Sequence, residues 1–278
     1  MNSKNGETIW ISHSAISDFE SCPRLYYLRN LYRNPETGHK IQVVNPYLTL
    51  GTIIHRTIEE INILPPKKRL DVPLTERLER NWQPYAGKEG GFSCQNEEEN
   101  FKKRALVMLK RVESSKVIRN KSYKMEDKLP KVRLFKEQNL ILVGSLDWIE
   151  ILHSGGFHII DFKTGRYQEN GNSLQLPIYL ILASYNFKKP IQKLSYWYLD
   201  RDREPVSFKL KPLESYLPII QEKALRIKKT IDDNRLICKI FGGCFHCSKY
   251  EKVLQGRAKC VGYDSQMNRD LYFLDKNA

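Results

Sequence analysis

Ile159-Ile160-Asp161-Phe162-Lys163-Thr164-Gly165, with Val143-Gly144-Ser145-Leu146-Asp147 a short way upstream, decides how this chain folds. The β-branched and aromatic residues predict a buried strand over 159–163 that ends at the glycine. Side chains alternate along a strand, so Asp161 and Lys163 share one face while Ile160 and Phe162 take the other. Residues 140–152 predict a preceding strand, and His153-Ser154-Gly155-Gly156 a turn between the two. A three-residue loop would set Asp147 opposite Asp161 or Lys163, on the same face. Two carboxylates and an ammonium on one patch of sheet are unfavourable, and a divalent cation is the usual remedy. The plain alternative is an exposed strand face with a salt bridge, since Asp-x-Lys often arises by accident. Its position at the end of an apolar strand, after an arm carrying a second acid, argues for a site.

The whole chain supports a polyanionic partner. Its 278 residues suffice for a substantial core. Against 32 acidic residues stand 46 lysines and arginines, a formal charge of +14. Nucleic acid is the first partner such a balance implies and an anionic membrane surface the second, the plain alternative being a merely soluble basic protein. No apolar run approaches the roughly 18 residues of a membrane span, and no secretory signal opens the sequence, so a cytoplasmic location is expected. The six cysteines are then read for metal rather than for disulfides. No G-x-x-x-x-G-K-[ST] stretch is present, so the chain carries no P-loop motor of its own.

Periodicity divides the chain into three parts of one expected domain over 1–278. Residues 1–120 are mainly helical. Ser12 or Ser14 can cap a first helix near Ala15, and Pro23 suits the first turn of a second, where tyrosines and arginines alternate. A third helix over 48–63 places Gly51, His55 and Glu59 on one face. A lone histidine there is ordinarily structural or solvated. Residues 65–96 predict a connecting region and 97–115 an amphipathic helix. Period-two patterning begins near 122 and predicts strands over 122–126, 131–136, 140–152 and 157–163 as a mostly antiparallel meander. A helix over 174–185, strands over 193–200 and 206–211 and a helix over 213–234 complete the part from 121 to 235. Residues 236–278 form a Cys-rich segment, expected as a loop. The class is α/β, a mixed central sheet flanked by helices on both faces.

Gly144-Ser145-Leu146-Asp147, then Asp161-Phe162-Lys163-Thr164-Gly165, then Gln175 and Tyr179, resemble the active-site run of the PD-(D/E)XK nuclease superfamily, in its RecB-like branch. That branch includes the nuclease domains of RecB and AddB and the CRISPR-adaptation nucleases. Ser12-His13-Ser14, Cys22-Pro23-Arg24-Leu25-Tyr26-Tyr27 and Gly51-Thr52-Ile53-Ile54-His55 match the same branch, so the likeness covers almost the whole chain. It implies a restriction-endonuclease-like core and a DNA nuclease dependent on Mg²⁺ or Mn²⁺, a single-strand-preferring exonuclease in repair, recombination or foreign-DNA processing, working beside a helicase or other DNA-processing protein. Carried over residue by residue, His55, Asp147, Asp161 and the Phe162 carbonyl hold the metal. Lys163 orients or deprotonates the attacking water or clamps the phosphate, and Gln175 and Tyr179 support the site. Glu126 is a further acid that could approach it, or form a structural salt bridge.

Cys244-Phe245-His246-Cys247 is a C-x-x-C with Cys238 before it and Cys260 after it. Alone, that spacing suits zinc, an iron–sulfur cluster or coincidence. The Cys-Pro motif at Cys22 resembles the ligand of iron–sulfur members of the family. The likeness implies a [4Fe–4S] cluster on Cys22, Cys244, Cys247 and Cys260, with zinc as the alternative and Cys238 as the rival fourth ligand because the gap to Cys260 is long. Cys94 has no partner in the pattern. A non-catalytic nucleic-acid-binding protein with a zinc or iron–sulfur knuckle is the competing reading, and a basic peripheral membrane protein the third. Retention of His55, Asp147, Asp161, Lys163 and Gln175 together favours the enzyme.

Overall fold

The structure is a computed structural model and describes residues 8–125, 129–136, 139–209 and 211–275. Glu126 lies outside them. The organising layer is a four-stranded sheet of β5 (Trp148–Ile151), β6 (Phe157–Lys163), β7 (Ile191–Tyr198) and β8 (Val206–Phe208), in that order. β6 is antiparallel to β5 and parallel to β7, and β7 is antiparallel to β8, so the sheet is mixed. The hairpin closes as its turn residues predict: Trp148 pairs with Ile160, Ile151 with Phe157, and Gly155 takes φ +85°.

Alternation along β6 sorts two cores. Ile159 shares one core with Tyr196 and Tyr198 of β7, under α6 (Gln175–Asn186) and α7 (Leu217–Asp232). Ile160 and Phe162 share the other with Trp148 and Trp197, under α3 (Pro46–Asn62), α4 (Leu74–Trp82) and α5 (Gln95–Ser114). The sheet is therefore flanked by helices on both faces, as expected. In α3, the Asn45 side chain caps the helix by accepting from Tyr47 and Leu48 N–H, and Pro46 occupies the first turn, where its missing donor is harmless.

The expected continuous strand over 140–152 is two strands in two sheets. β4 (Leu140–Val143) pairs in parallel with β1 (Ile9–Ile11) and antiparallel with β3 (Lys131–Phe135). Gly144-Ser145-Leu146-Asp147 then bends the chain into the four-stranded sheet, so the meander is broken there. A Cβ on Gly144 would sit 2.9 Å from Leu182 Cδ1, so α6 packs closely against the bend. The connecting region also contains α4, whose Leu74, Leu78 and Trp82 recur every four residues and are all buried.

Residues 236–275 do not form the expected loop. They build α8 (Ser248–Leu254) and the hairpin of β9 (Lys259–Asp264) and β10 (Arg269–Phe273). β10 pairs in parallel with β2 (Lys40–Val43), so a third mixed sheet joins early and late segments. α1 (His13–Ser21), capped by the Ser12 hydroxyl on Ala15 N–H, leads through Cys22 into α2 (Pro23–Tyr26), which runs on as a π-helical turn over Tyr27–Leu31. Among the described residues, no helix is long and apolar enough to cross a membrane.

Candidate active site

Where β6 ends, both helical layers reach the same edge of the sheet. Asp161 and Lys163 project toward α6, while His55 arrives from α3 on the opposite layer. Gly51, one turn before His55, faces Thr164, whose Oγ1 lies 3.4 Å from where a Cβ would stand. Asp147 precedes β5 opposite Asp161 by continuation of the Trp148–Ile160 register. The result is a pocket of about 260 Å³ whose lining includes His55, Asp147, Asp161, Lys163, Gln175 and Tyr179.

The contacts form one network. His55 Nδ1 lies 3.3 Å from Asp147 Oδ1, and Phe162 N–H donates to Asp147 Oδ2 at 2.9 Å. Gln175 donates through Nε2 to Asp161 Oδ1 at 2.7 Å and to the Tyr179 hydroxyl at 3.2 Å, while its carbonyl accepts from the Lys163 ammonium. Lys163 Nζ stands 3.0 Å from Asp161 Oδ2 and 3.2 Å from Glu169 Oε1. Asp161 is only 1% exposed, and its Oδ2 has no aligned hydrogen-bond donor. The charge that meets this oxygen is the Lys163 ammonium, an ion pair that partly offsets its burial.

Electrostatics matches the crowding. Burial, and then the Asp147 charge, push Asp161 up to about 7, although Lys163 and His55 pull against them. Burial would lower His55, yet the carboxylates of Asp147 and Asp161 outweigh it and lift the imidazole to about 9. For Lys163 burial is likewise outweighed, by Asp161 and Glu169, and its pKa rises. Without a cation, Lys163 is thus an ammonium and no base. One imidazole and two carboxylates, with Phe162 beside them on the wall, are the donor types that suit Mn²⁺ well and Mg²⁺ adequately, although among the described residues only the cysteine group has its ligand atoms within 4.8 Å of one another.

The structure brings together His55, Asp147, Asp161, Lys163, Gln175 and Tyr179, the residues that the sequence singled out. It adds Glu169 and Tyr196, which sequence reasoning missed, and His13, which the Ser12-His13-Ser14 match had noted without a role. Glu169 sits in the loop after β6, where no periodicity marks it. Tyr196 carries its ring 5.3 Å from Lys163 Nζ, a position that the Asp161–Tyr196 register fixes only once β7 is known to pair with β6. His13 heads α1 with Nε2 3.4 Å from Ser173 Oγ, and burial and the Lys163 charge lower its pKa.

The cysteines gather elsewhere. The sulfurs of Cys22, Cys238, Cys244 and Cys247 lie within 4.8 Å of one another, with Cys244 and Cys247 3.7 Å apart. Cys260 is not among them. It stands exposed on the edge strand β9, on the side opposite Val261, which packs inward, and its sulfur turns to the Gly262 carbonyl. The rival Cys238 takes the expected place. Cys94 is exposed at the start of α5. Four converging thiols fit a metal or cluster site. Cys22 is buried, while the sulfur of Cys244 is held down to about 7: burial works against this, but the Cys247 and His246 N–H groups prevail.

A family model described as the PD-(D/E)XK nuclease superfamily matches residues 10–252. No curated protein matches the sequence. Among solved structures, the chain is similar to the crystal structure of a candidate exonuclease from Eubacterium rectale, at TM-score 0.52 and 13% identity over 91% of each chain. At that identity the likeness concerns the fold.

Proposed function

The chain belongs to the PD-(D/E)XK nuclease superfamily, and from that premise we propose a divalent-metal-dependent DNA exonuclease of the RecB-like branch, acting on single strands in repair, recombination or foreign-DNA processing. One observation carries the reading: an imidazole from α3, two carboxylates from the hairpin and a lysine two residues past the second carboxylate line one open pocket. Residues 1–278 are read as a single nuclease domain. With no P-loop in the sequence, strand separation would come from a helicase partner.

His55, Asp147, Asp161 and the Phe162 carbonyl would hold Mg²⁺ or Mn²⁺, which supplies Lewis acidity to the phosphate and a more acidic water. Lys163, kept cationic by its neighbours, counters charge that develops on the phosphorane. Gln175 fixes both partners at once, binding Asp161 through its amide nitrogen and Lys163 through its carbonyl. Tyr179 steadies Gln175. Each is a device for holding groups in place before substrate arrives.

The resemblance implies an iron–sulfur cluster at the cysteines, and four thiolates fit one. Their crowding favours a single tetrahedral ion instead. Four sulfurs about 2.3 Å from one Zn²⁺ stand about 3.8 Å apart, whereas a cluster spreads its thiolates over several irons. Anaerobic purification with metal analysis separates the two: one zinc per chain and no colour supports the single ion, and a brown protein with iron and sulfide overturns it.

The activity test uses 5′- and 3′-labelled single- and double-stranded DNA and RNA with Mg²⁺, Mn²⁺ or neither. Cation-dependent shortening of linear single-stranded DNA, with circles spared, is expected. Cleavage of circles would overturn the exonuclease assignment, and no cleavage with any cation would overturn the enzyme.

A further inference from the structure

The cysteine group holds up an exposed aromatic tip. Between Cys238 and Cys247 the chain runs Lys239-Ile240-Phe241-Gly242-Gly243-Cys244-Phe245-His246. Phe241 stands fully in solvent and Phe245 is 80% exposed, with Ile237 and Ile240 exposed beside them. Gly242 and Gly243 adopt φ +77° and +98°, which turns the chain back sharply. A Cβ on Gly243 would meet Cys247 Sγ at 3.3 Å, so the turn is fitted to the thiol group. Isolated apolar exposure is unremarkable, but two phenylalanines raised on a turn anchored by three of the four gathered cysteines are not scattered exposure.

Charge says what they meet. From Arg235 to Lys259 there are six lysines and arginines and a single acid, Glu251. That acid is already bound by Arg24, whose Nε lies 2.6 Å from Glu251 Oε1. Lys249 Nζ stands 5.6 Å from the centre of the Phe245 ring. Exposed rings among cations are the combination that takes an unpaired nucleic-acid strand, bases on the rings and phosphates on the ammonium groups.

Position links the tip to the pocket. α1 begins with His13, whose Nε2 lies 3.4 Å from Ser173, two residues before Gln175 of the pocket, and ends at Cys22, in the cysteine group. Its nine residues span about 13 Å at 1.5 Å each. At about 3.4 Å per stacked nucleotide, the helix alone matches the length of about four nucleotides.

We propose that Phe241 and Phe245 form a stacking platform for unpaired bases of the strand whose phosphodiester lies in the His55–Asp147–Asp161 pocket. The proposal rests on the nuclease reading, and its test is chosen to stand apart from it. Fluorescence anisotropy of labelled dT12 in divalent-free buffer compares the parent with Phe241→Ala/Phe245→Ala, both checked for folding by circular dichroism. Removing the two rings weakens binding at least about tenfold and leaves the salt dependence unchanged, because no phosphate contact is lost. Phe241→Trp/Phe245→Trp, which keeps flat rings, restores the affinity. Equal affinity of the alanine variant and the parent overturns the platform, including the case in which this apolar tip docks a protein instead. Bis(p-nitrophenyl) phosphate, too small to reach the tip, is cleaved by the alanine variant at the parental rate. If neither protein cleaves it, the nuclease reading fails while the binding comparison still decides the platform.

Discussion

His158 and His55 both face carboxylates against the same sheet, and their surroundings differ in every other respect. His158 Nδ1 lies 2.8 Å from Glu150 Oε2 and its Nε2 2.8 Å from Ser195 Oγ. Since a carboxylate only accepts, Nδ1–H donates to Glu150. Asn120 donates to the other Glu150 oxygen at 2.6 Å. Serine, histidine and an acid in a line resemble a nucleophilic triad, but all three are sealed in the core. Burial pushes Glu150 up, and the bonds from His158 and Asn120 outweigh it, so its pKa falls and it stays charged and satisfied. Around His55 the opposite holds: its side chain is 38% exposed, two carboxylates crowd one pocket, and Asp161 Oδ2 has no aligned donor. A closed network commits its hydrogen bonds to structure, whereas crowded carboxylates in an open pocket are the usual mark of a reactive or binding site.

Asp161→Asn tests the open side most severely. It removes a charge that the cation needs, and cation-dependent cleavage should drop by about 10³-fold or more, read from initial rates. Stability should move the other way. A carboxylate whose folded pKa is raised from 3.8 to about 7 contributes stability that is lost as pH climbs through that range. At pH 8 the metal-free variant should therefore melt no lower than the parent. A marked fall in melting temperature, with cleavage retained, would assign Asp161 to structure.

His158→Ala should reverse that pattern. It leaves the Glu150 charge and the Ser195 hydroxyl buried without their partner, which costs about 3–5 kcal/mol. A chain of this size should lose about 2–4 °C in melting temperature for each kcal/mol. Activity per folded molecule should persist. Equal melting of variant and parent would show that the sealed triad contributes nothing.

pH separates the two regions more gently. The imidazole of His55, lifted to about 9 from 6.5, contributes stability that is fully present below pH 6.5 and disappears as pH rises through 9. Asp161 fades over a lower range in the same direction. A cation must displace both protons, so added Mn²⁺ should raise the melting temperature little at pH 6 and substantially at pH 8.5. A Mn²⁺ shift independent of pH would place the ion away from His55 and Asp161.

Local pattern made much of this legible. Alternation over 159–163 and the glycine-bearing turn fix the hairpin register, and with it the meeting of Asp147 and Asp161. What stayed hidden depends on long-range pairing. The step from β4 to β5 is a change of sheet at Gly144, visible only through the close approach of α6. β2 and β10 are separated by more than two hundred residues, and no local signal joins Lys40–Val43 to Arg269–Phe273. That pairing also decided the cysteines, for β9 follows β10 at the edge of the sheet and carries Cys260 outward. α4 shows in its four-residue apolar spacing, but its two flanking prolines and dense charge are equally those of a loop.

The smallest effect sharpens the contrast between holding and reacting. Tyr179 lines the pocket, where Gln175 Nε2 stands 3.2 Å from its hydroxyl and Asp161 lies nearby. Burial raises its pKa well above 10, so the hydroxyl remains neutral and takes no proton from water. Tyr179→Phe keeps the ring in its apolar setting and removes one hydrogen bond worth about 1 kcal/mol, or about fivefold. If Tyr179 only steadies Gln175, kcat should fall by about that factor, with KM and the pH profile unchanged. A hundredfold fall, or a lost limb of the pH profile, would instead place the phenol in proton transfer and make Tyr179 a reacting group.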